Sequence, residues 1–110
     1  MRLQPESLDN AALYQLVIGT VAPRPIAWVS TRSATGVVNL APYSYFTVAS
    51  MQPLSLLFCP QRQPDGSAKD TLRNLDAVPE FVVHIPDQAT LDAMNVCSWR
   101  FPPDVSELTA

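Results

Sequence analysis

Lysine is nearly missing from this chain of 110 residues: Lys69 is the only one, and His84 is the only histidine. Glycine is confined to positions 19, 36 and 66. Phosphate-cradling loops need clustered glycines for tight turns and close backbone approach, so neither a GxGxxG nor a Walker loop can be written here. Two cysteines far apart, Cys59 and Cys97, and one histidine fall short of a four-ligand zinc site with recognisable spacing. Both cysteines read as free thiols in buried or half-buried apolar settings. Basic residues number 7 against 10 acidic ones, a net charge of −3. That balance argues against broad binding to nucleic acid or anionic membranes, which takes a basic surface. No apolar run approaches the length of a membrane span, and the N-terminus lacks the charged, apolar and small-residue blocks of a signal peptide. A cytoplasmic protein without membrane or nucleic-acid partners is the expectation.

What is present describes a folded chain: 47% hydrophobic residues, 15% charged, and a length suited to one small domain over 1–110. Eleven prolines keep its elements short. Helical spacing of Leu8, Ala12 and Leu16, and of Leu13 and Val17, predicts a helix over 7–17, capped by Ser7 or Asp9 and ended by Gly19. Strand formers predict 26–31 and 37–40 as a hairpin around the 33–36 turn, with Pro42 breaking the second strand. A third strand follows over 45–50. The fourth, over 54–59, is apolar on both faces and reads as a central or barrel strand. A helix then opens near Lys69, a fifth strand covers 80–85, and a helix capped by Asp87 covers 87–97. The succession is mainly β with flanking helices, as in a small β-barrel.

Two segments stand out for chemistry. In Gly66-Ser67-Ala68-Lys69-Asp70-Thr71, Ser67 and Asp70 have capping-box spacing, with Leu72, Leu75 and Val78 as an apolar stripe behind them. A helix start offers unpaired N–H groups and partial positive charge, so a lysine and a threonine hydroxyl there suit a phosphate. In the run from Asn39 to Ser50, hydroxyls alternate with aromatics, a pattern that can edge and cover a flat heterocycle. Elsewhere chemistry is thin. His84 reads as a mid-strand histidine at a surface or interface position, and Asp65, Asp70 and Asp76 as a turn, a cap and a solvated face.

Taken in order, Arg24-Pro25-Ile26-Ala27-Trp28-Val29-Ser30-Thr31, Gly36 to Phe46, and Lys69-Asp70-Thr71-Leu72-Arg73-Asn74 resemble the flavin reductase-like family with an FMN-binding split β-barrel. Glu80-Phe81-Val82-Val83-His84 and the stretch from Met94 to Pro103 continue the resemblance at suitable spacing. The resemblance implies that Ser44, Tyr45, Phe46 and Thr47 lie along the isoalloxazine and ribityl chain of FMN. Ser50 would reach toward the ribityl–phosphate end, and Lys69, Asp70 and Thr71 would bind the phosphate, with Arg24 as a further basic partner. It implies hydride transfer from NADH or NADPH to flavin, in a homodimer with flavin near the interface. No side chain is assigned as catalytic, because the flavin carries the chemistry. Family members continue for most of another hundred residues, so a longer chain that completes the barrel is expected. An FMN-binding electron carrier without nicotinamide turnover, or a fold fragment without flavin, are the alternatives. The position of His84 is often asparagine in relatives.

Overall fold

Asp9 starts the first helix: its carboxylate accepts the Ala12 N–H at 2.7 Å, leaving α1 to run over Asn10–Thr20. The computed structural model describes residues 2–109. A short 3-10 turn, Pro5–Ser7, precedes the helix, so the cap is Asp9 and not Ser7. Gly19 lies within α1 instead of ending it, and no residue of the helix is buried.

β1 (Ala27–Arg32) is the middle strand of a three-stranded antiparallel sheet, flanked by β2 (Val38–Tyr43) and β5 (Val82–His84). Ala27, Val29 and Thr31 alternate inward at 0%, 0% and 3% exposure, the period of two that a half-buried strand requires. Pro42 does not break β2; it pairs with Trp28. Because β2 is an edge strand, a missing N–H is tolerated there. The expected helix over 87–97 divides into a 3-10 turn (Gln88–Thr90) and α3 (Leu91–Val96).

β3 (Phe46–Met51) and β4 (Leu54–Phe58) form a separate two-stranded sheet, with a bulge between Val48 and Ser50. Here the expectation of a central strand fails. β4 pairs with β3 alone among the described residues, and Leu54, Leu56 and Leu57 are exposed. The two sheets do not close into a barrel within the described residues. They meet through a chain of rings, Tyr43 on Phe58 at 5.4 Å and Phe58 on Phe81 at 5.2 Å. These rings adjoin the core of Ala27, Val29 and Tyr43, against which Ala41, Phe46 and Val83 pack.

α2 (Asp70–Ala77) reaches the sheet by a polar face. Thr71 and Asn74, three residues apart and so on one side of the helix, are its buried residues. The Asn39 amide and the Tyr43 hydroxyl donate to Thr71 Oγ1 at 2.9 and 2.7 Å, and Asn74 donates to Thr31 Oγ1 at 3.1 Å. The expected stripe of Leu72, Leu75 and Val78 is only half-buried. The capping box is also absent: Ser67 donates to Asp65 at 2.6 Å, and Lys69 occupies the N-cap without a side-chain bond. Asp70 instead pairs with Arg73.

A capping box does occur at Asp87, whose carboxylate accepts the Thr90 N–H and hydroxyl at 3.0 and 2.9 Å. The Thr90 hydroxyl and amide hold the Asp87 carboxyl below its ordinary value of 3.8. A depressed folded pKa means this stabilisation is complete above the unfolded value and is lost as pH falls through the lower folded one. The protection of the Thr90 amide against hydrogen exchange, relative to its intrinsic rate, should therefore fall on acidification below about pH 4, and Asp87→Asn should flatten that dependence. Exchange at Thr90 with no extra acid dependence in the wild type would contradict the cap.

Candidate functional site

Arg24 is the centre of the site's architecture. Its Nη1 donates to the carbonyls of Ile18 and Val21 at 2.9 and 3.1 Å, near the end of α1. Its Nε donates to Ser44 Oγ at 3.2 Å, and its guanidinium lies 5.8 Å from the centre of the Tyr45 ring. One side chain thus joins the helix end to the bend between β2 and β3. Lys69 approaches from the other side, its ammonium 5.6 Å from the centre of the Tyr43 ring.

These residues enclose a cleft of about 240 Å³, lined by Arg24, Ser44, Tyr45 and Lys69 together with Tyr14, Ile18 and Cys59. An apolar groove of about 510 Å³ adjoins it, sharing Arg24, Ser44 and Tyr45 and adding Phe46, Thr47, Val17, Pro25 and Leu57. A third cleft, of about 310 Å³, lies on the far side of Lys69 and is lined by Asp70, Thr71, Asn39, Cys97, Trp99 and Arg100. Of the residues expected at the site, Arg24, Ser44, Tyr45 and Lys69 therefore come together, with Phe46 and Thr47 beside them. Asp70 and Thr71 face the third cleft. Ser50 lines none of the three; it sits past the bulge, where its hydroxyl accepts the Gln52 N–H at 3.2 Å.

The electrostatics favour an anion. The one ion pair among the described residues joins Arg73 and Asp70, so neither Arg24 nor Lys69 has a carboxylate partner. Lys69 also stands at the N-cap of α2, where a cation meets the positive end of the helix dipole. That placement is unfavourable unless an anion offsets it. The Thr71 hydroxyl, 1% exposed, is committed to Asn39 and Tyr43 and holds the helix start in place. Burial pushes the Tyr43 phenol above its usual value, partly opposed by its bond to Thr71, and the charges of Asp70 and Glu107 raise it further. Tyr43 stays a donor.

Several lining residues carry no motif that spacing could reveal. Cys59 is exposed at the cleft and not buried as expected, while Cys97 is buried; both are free. Glu107, in a short 3-10 turn at 107–109, reaches back to accept the Leu40 N–H at 2.8 Å. His84 is exposed, bonded to Ser30 Oγ at 3.0 Å, away from all three clefts. That surface position is the one its sequence setting suggests.

The same fold occurs in known proteins. A family model described as a flavin reductase like domain matches residues 19–110. An uncharacterized protein of Halalkalibacterium halodurans is 46% identical over 108 residues, covering 98% of this chain and 52% of the relative. The crystal structure of nitrilotriacetate monooxygenase component B from Bacillus cereus superposes with a TM-score of 0.92 at 37% identity, covering 99% of this chain and 54% of that one. A split barrel domain protein from Shewanella frigidimarina shares the fold, with a TM-score of 0.77 at 15% identity over 99% of this chain and 54% of that one. The chain spans about half the length of the curated relatives it matches. Mostly β with a few helices, and folded like half of a split-barrel flavin reductase, the chain belongs to the flavin reductase-like family.

Proposed function

We propose that this chain forms part of an FMN-dependent oxidoreductase, with the phosphate of FMN at Lys69 and Arg24 and its ring system along Ser44 to Thr47. The observation that carries this reading is the meeting of two cations without carboxylate partners in one cleft, beside a groove walled by Val17, Pro25, Phe46 and Leu57. The donor set fits such a molecule. Charge-assisted bonds to phosphate come from Lys69 and Arg24, a neutral hydroxyl from Ser44, and apolar cover for a flat ring from the groove. When bound, flavin supplies the two-electron chemistry, taking up a hydride from NADH or NADPH and passing electrons onward. The chain's own residues bind, orient and exclude water. No side chain here is assigned a proton-transfer step.

The exposed apolar residues of β3 and β4, together with Tyr14, Val17 and Val21 on and after α1, support association with further polypeptide, including a second subunit. Steady-state assay of the full-length protein tests the activity. NADH or NADPH oxidation that depends on added FMN is the expected result. Flavin binding without nicotinamide oxidation would leave an electron carrier instead, and absence of flavin binding would overturn the reading.

A further inference from the structure

Tyr43 is held in three ways. Its side chain is 5% exposed, belongs to the core with Ala27 and Val29, and packs on Phe58 at 5.4 Å. Its backbone sits in β2 opposite Ala27, and its hydroxyl donates to Thr71 Oγ1 at 2.7 Å. Lys69 is the reverse case. Its four-carbon stem is flexible and has rotamer freedom to lose when a ligand fixes it. Among the described residues no carboxylate pairs with its ammonium, and its side chain makes no capping bond to α2.

What the structure does give Lys69 is the Tyr43 ring. The ammonium lies 5.6 Å from the ring centre, within the range over which an aromatic face attracts a cation. Thr71 stands two residues on from Lys69, so one tyrosine anchors the start of α2 through its hydroxyl and meets the lysine through its ring. Tyr43 also lines both of the clefts that meet at Lys69. We infer that Tyr43 is a positioning residue: its ring pre-sets the Lys69 ammonium, and so strengthens the preference of the cleft for a phosphorylated ligand over the same ligand without phosphate. A lysine already in place loses less freedom on binding, and that gain falls on the contact with the phosphate alone. The inference rests on the flavin reading above for the identity of the ligand, whereas the placement of Lys69 belongs to the free protein.

Titration of the full-length protein with FMN and riboflavin reads the preference as the riboflavin-to-FMN ratio of dissociation constants. Tyr43→Leu should lower that ratio about two- to fivefold, the scale of one partly exposed cation–π contact. Tyr43→Phe keeps the ring and loses the bond to Thr71, so it should melt lower than the wild type yet keep the ratio. In a Lys69→Ala background, Tyr43→Leu should leave the ratio unchanged, because the ring then has no ammonium to place. A tyrosine that only supports the fold would weaken both flavins alike.

Tyr43→Leu alters the core, so a second measurement does without it. Protons over an aromatic face are shielded. In the ligand-free wild type, the Lys69 ε-methylene protons, identified by their loss in Lys69→Arg, should resonate upfield of those of an ordinary exposed lysine. Tyr43→Phe should retain the shift. Ordinary resonances in the wild type, or a ratio that survives Tyr43→Leu, overturn the inference and leave the flavin assignment standing. Equal losses of FMN and riboflavin in Lys69→Ala, with the upfield shift present in the wild type, overturn the phosphate assignment and not the placement of the lysine.

Discussion

Lys69→Ala is expected to weaken FMN about ten- to a hundredfold while changing riboflavin little, because only FMN carries the phosphate. A charge-assisted hydrogen bond contributes about 1.5–3 kcal/mol, which sets that range. Lys69 is the single lysine among these 110 residues, so no other lysine of this stretch can take its place. Its position at the N-cap makes a second, independent expectation. Removing a cation from the positive end of α2 relieves repulsion, so the ligand-free variant should melt no lower than the wild type. Titrations with the two flavins, paired with thermal melts, separate binding from folding. Equal losses for FMN and riboflavin would sink the phosphate assignment, whereas a lowered melting temperature alone would point to a structural lysine.

Thr71→Val should be among the most destabilising single changes in the chain. Valine matches threonine in shape but removes the oxygen that accepts from Asn39 and Tyr43, both of which are buried. Each buried donor left without a partner costs about 1–3 kcal/mol, so a loss of roughly 2–4 kcal/mol is expected against a typical total of about 5–15. Thr71→Ser keeps the hydroxyl and should cost about 1 kcal/mol, the scale of one lost methyl group. Urea denaturation of the three proteins reads the difference. A loss under about 0.5 kcal/mol for the valine variant would mean that water replaces the hydroxyl and that α2 is not held by this polar contact.

The strands were legible in sequence because their signals are local. β1 declares itself by its run of strand-forming residues and β3 by its aromatic and β-branched residues, and both lie close to where those signals place them. What failed depended on tertiary partners. Spacing at 67 and 70 suggests a capping box, yet Asp65 competes successfully for Ser67 through a two-residue turn. Leucines at 72 and 75 suggest the packed face of α2, but the sheet offers that helix Asn39, Thr31 and the Tyr43 hydroxyl, and the polar side turns inward. The β4 run, apolar on both faces, signals two covering layers that this length of chain does not itself provide. At the site, Lys69 and Ser44 could be marked from their surroundings in sequence. Trp99 and Arg100 could not, because a loop with no periodicity gives no sign of the cleft it borders.

The guanidinium of Arg24 has a consequence for how stability is distributed. α1 contributes nothing to the buried core, and the bonds from Arg24 to Ile18, Val21 and Ser44 are its main polar tie to the sheets. Among the described residues the helix is thus moored at its C-terminal end. Tyr14 and Ile18 line the cleft, so a displacement of the helix would open one of its walls. Filling the cleft and seating α1 then become thermodynamically linked. Any ligand that prefers the closed arrangement will tighten a helix it touches only in part, and looseness of the helix will be subtracted from the ligand's affinity.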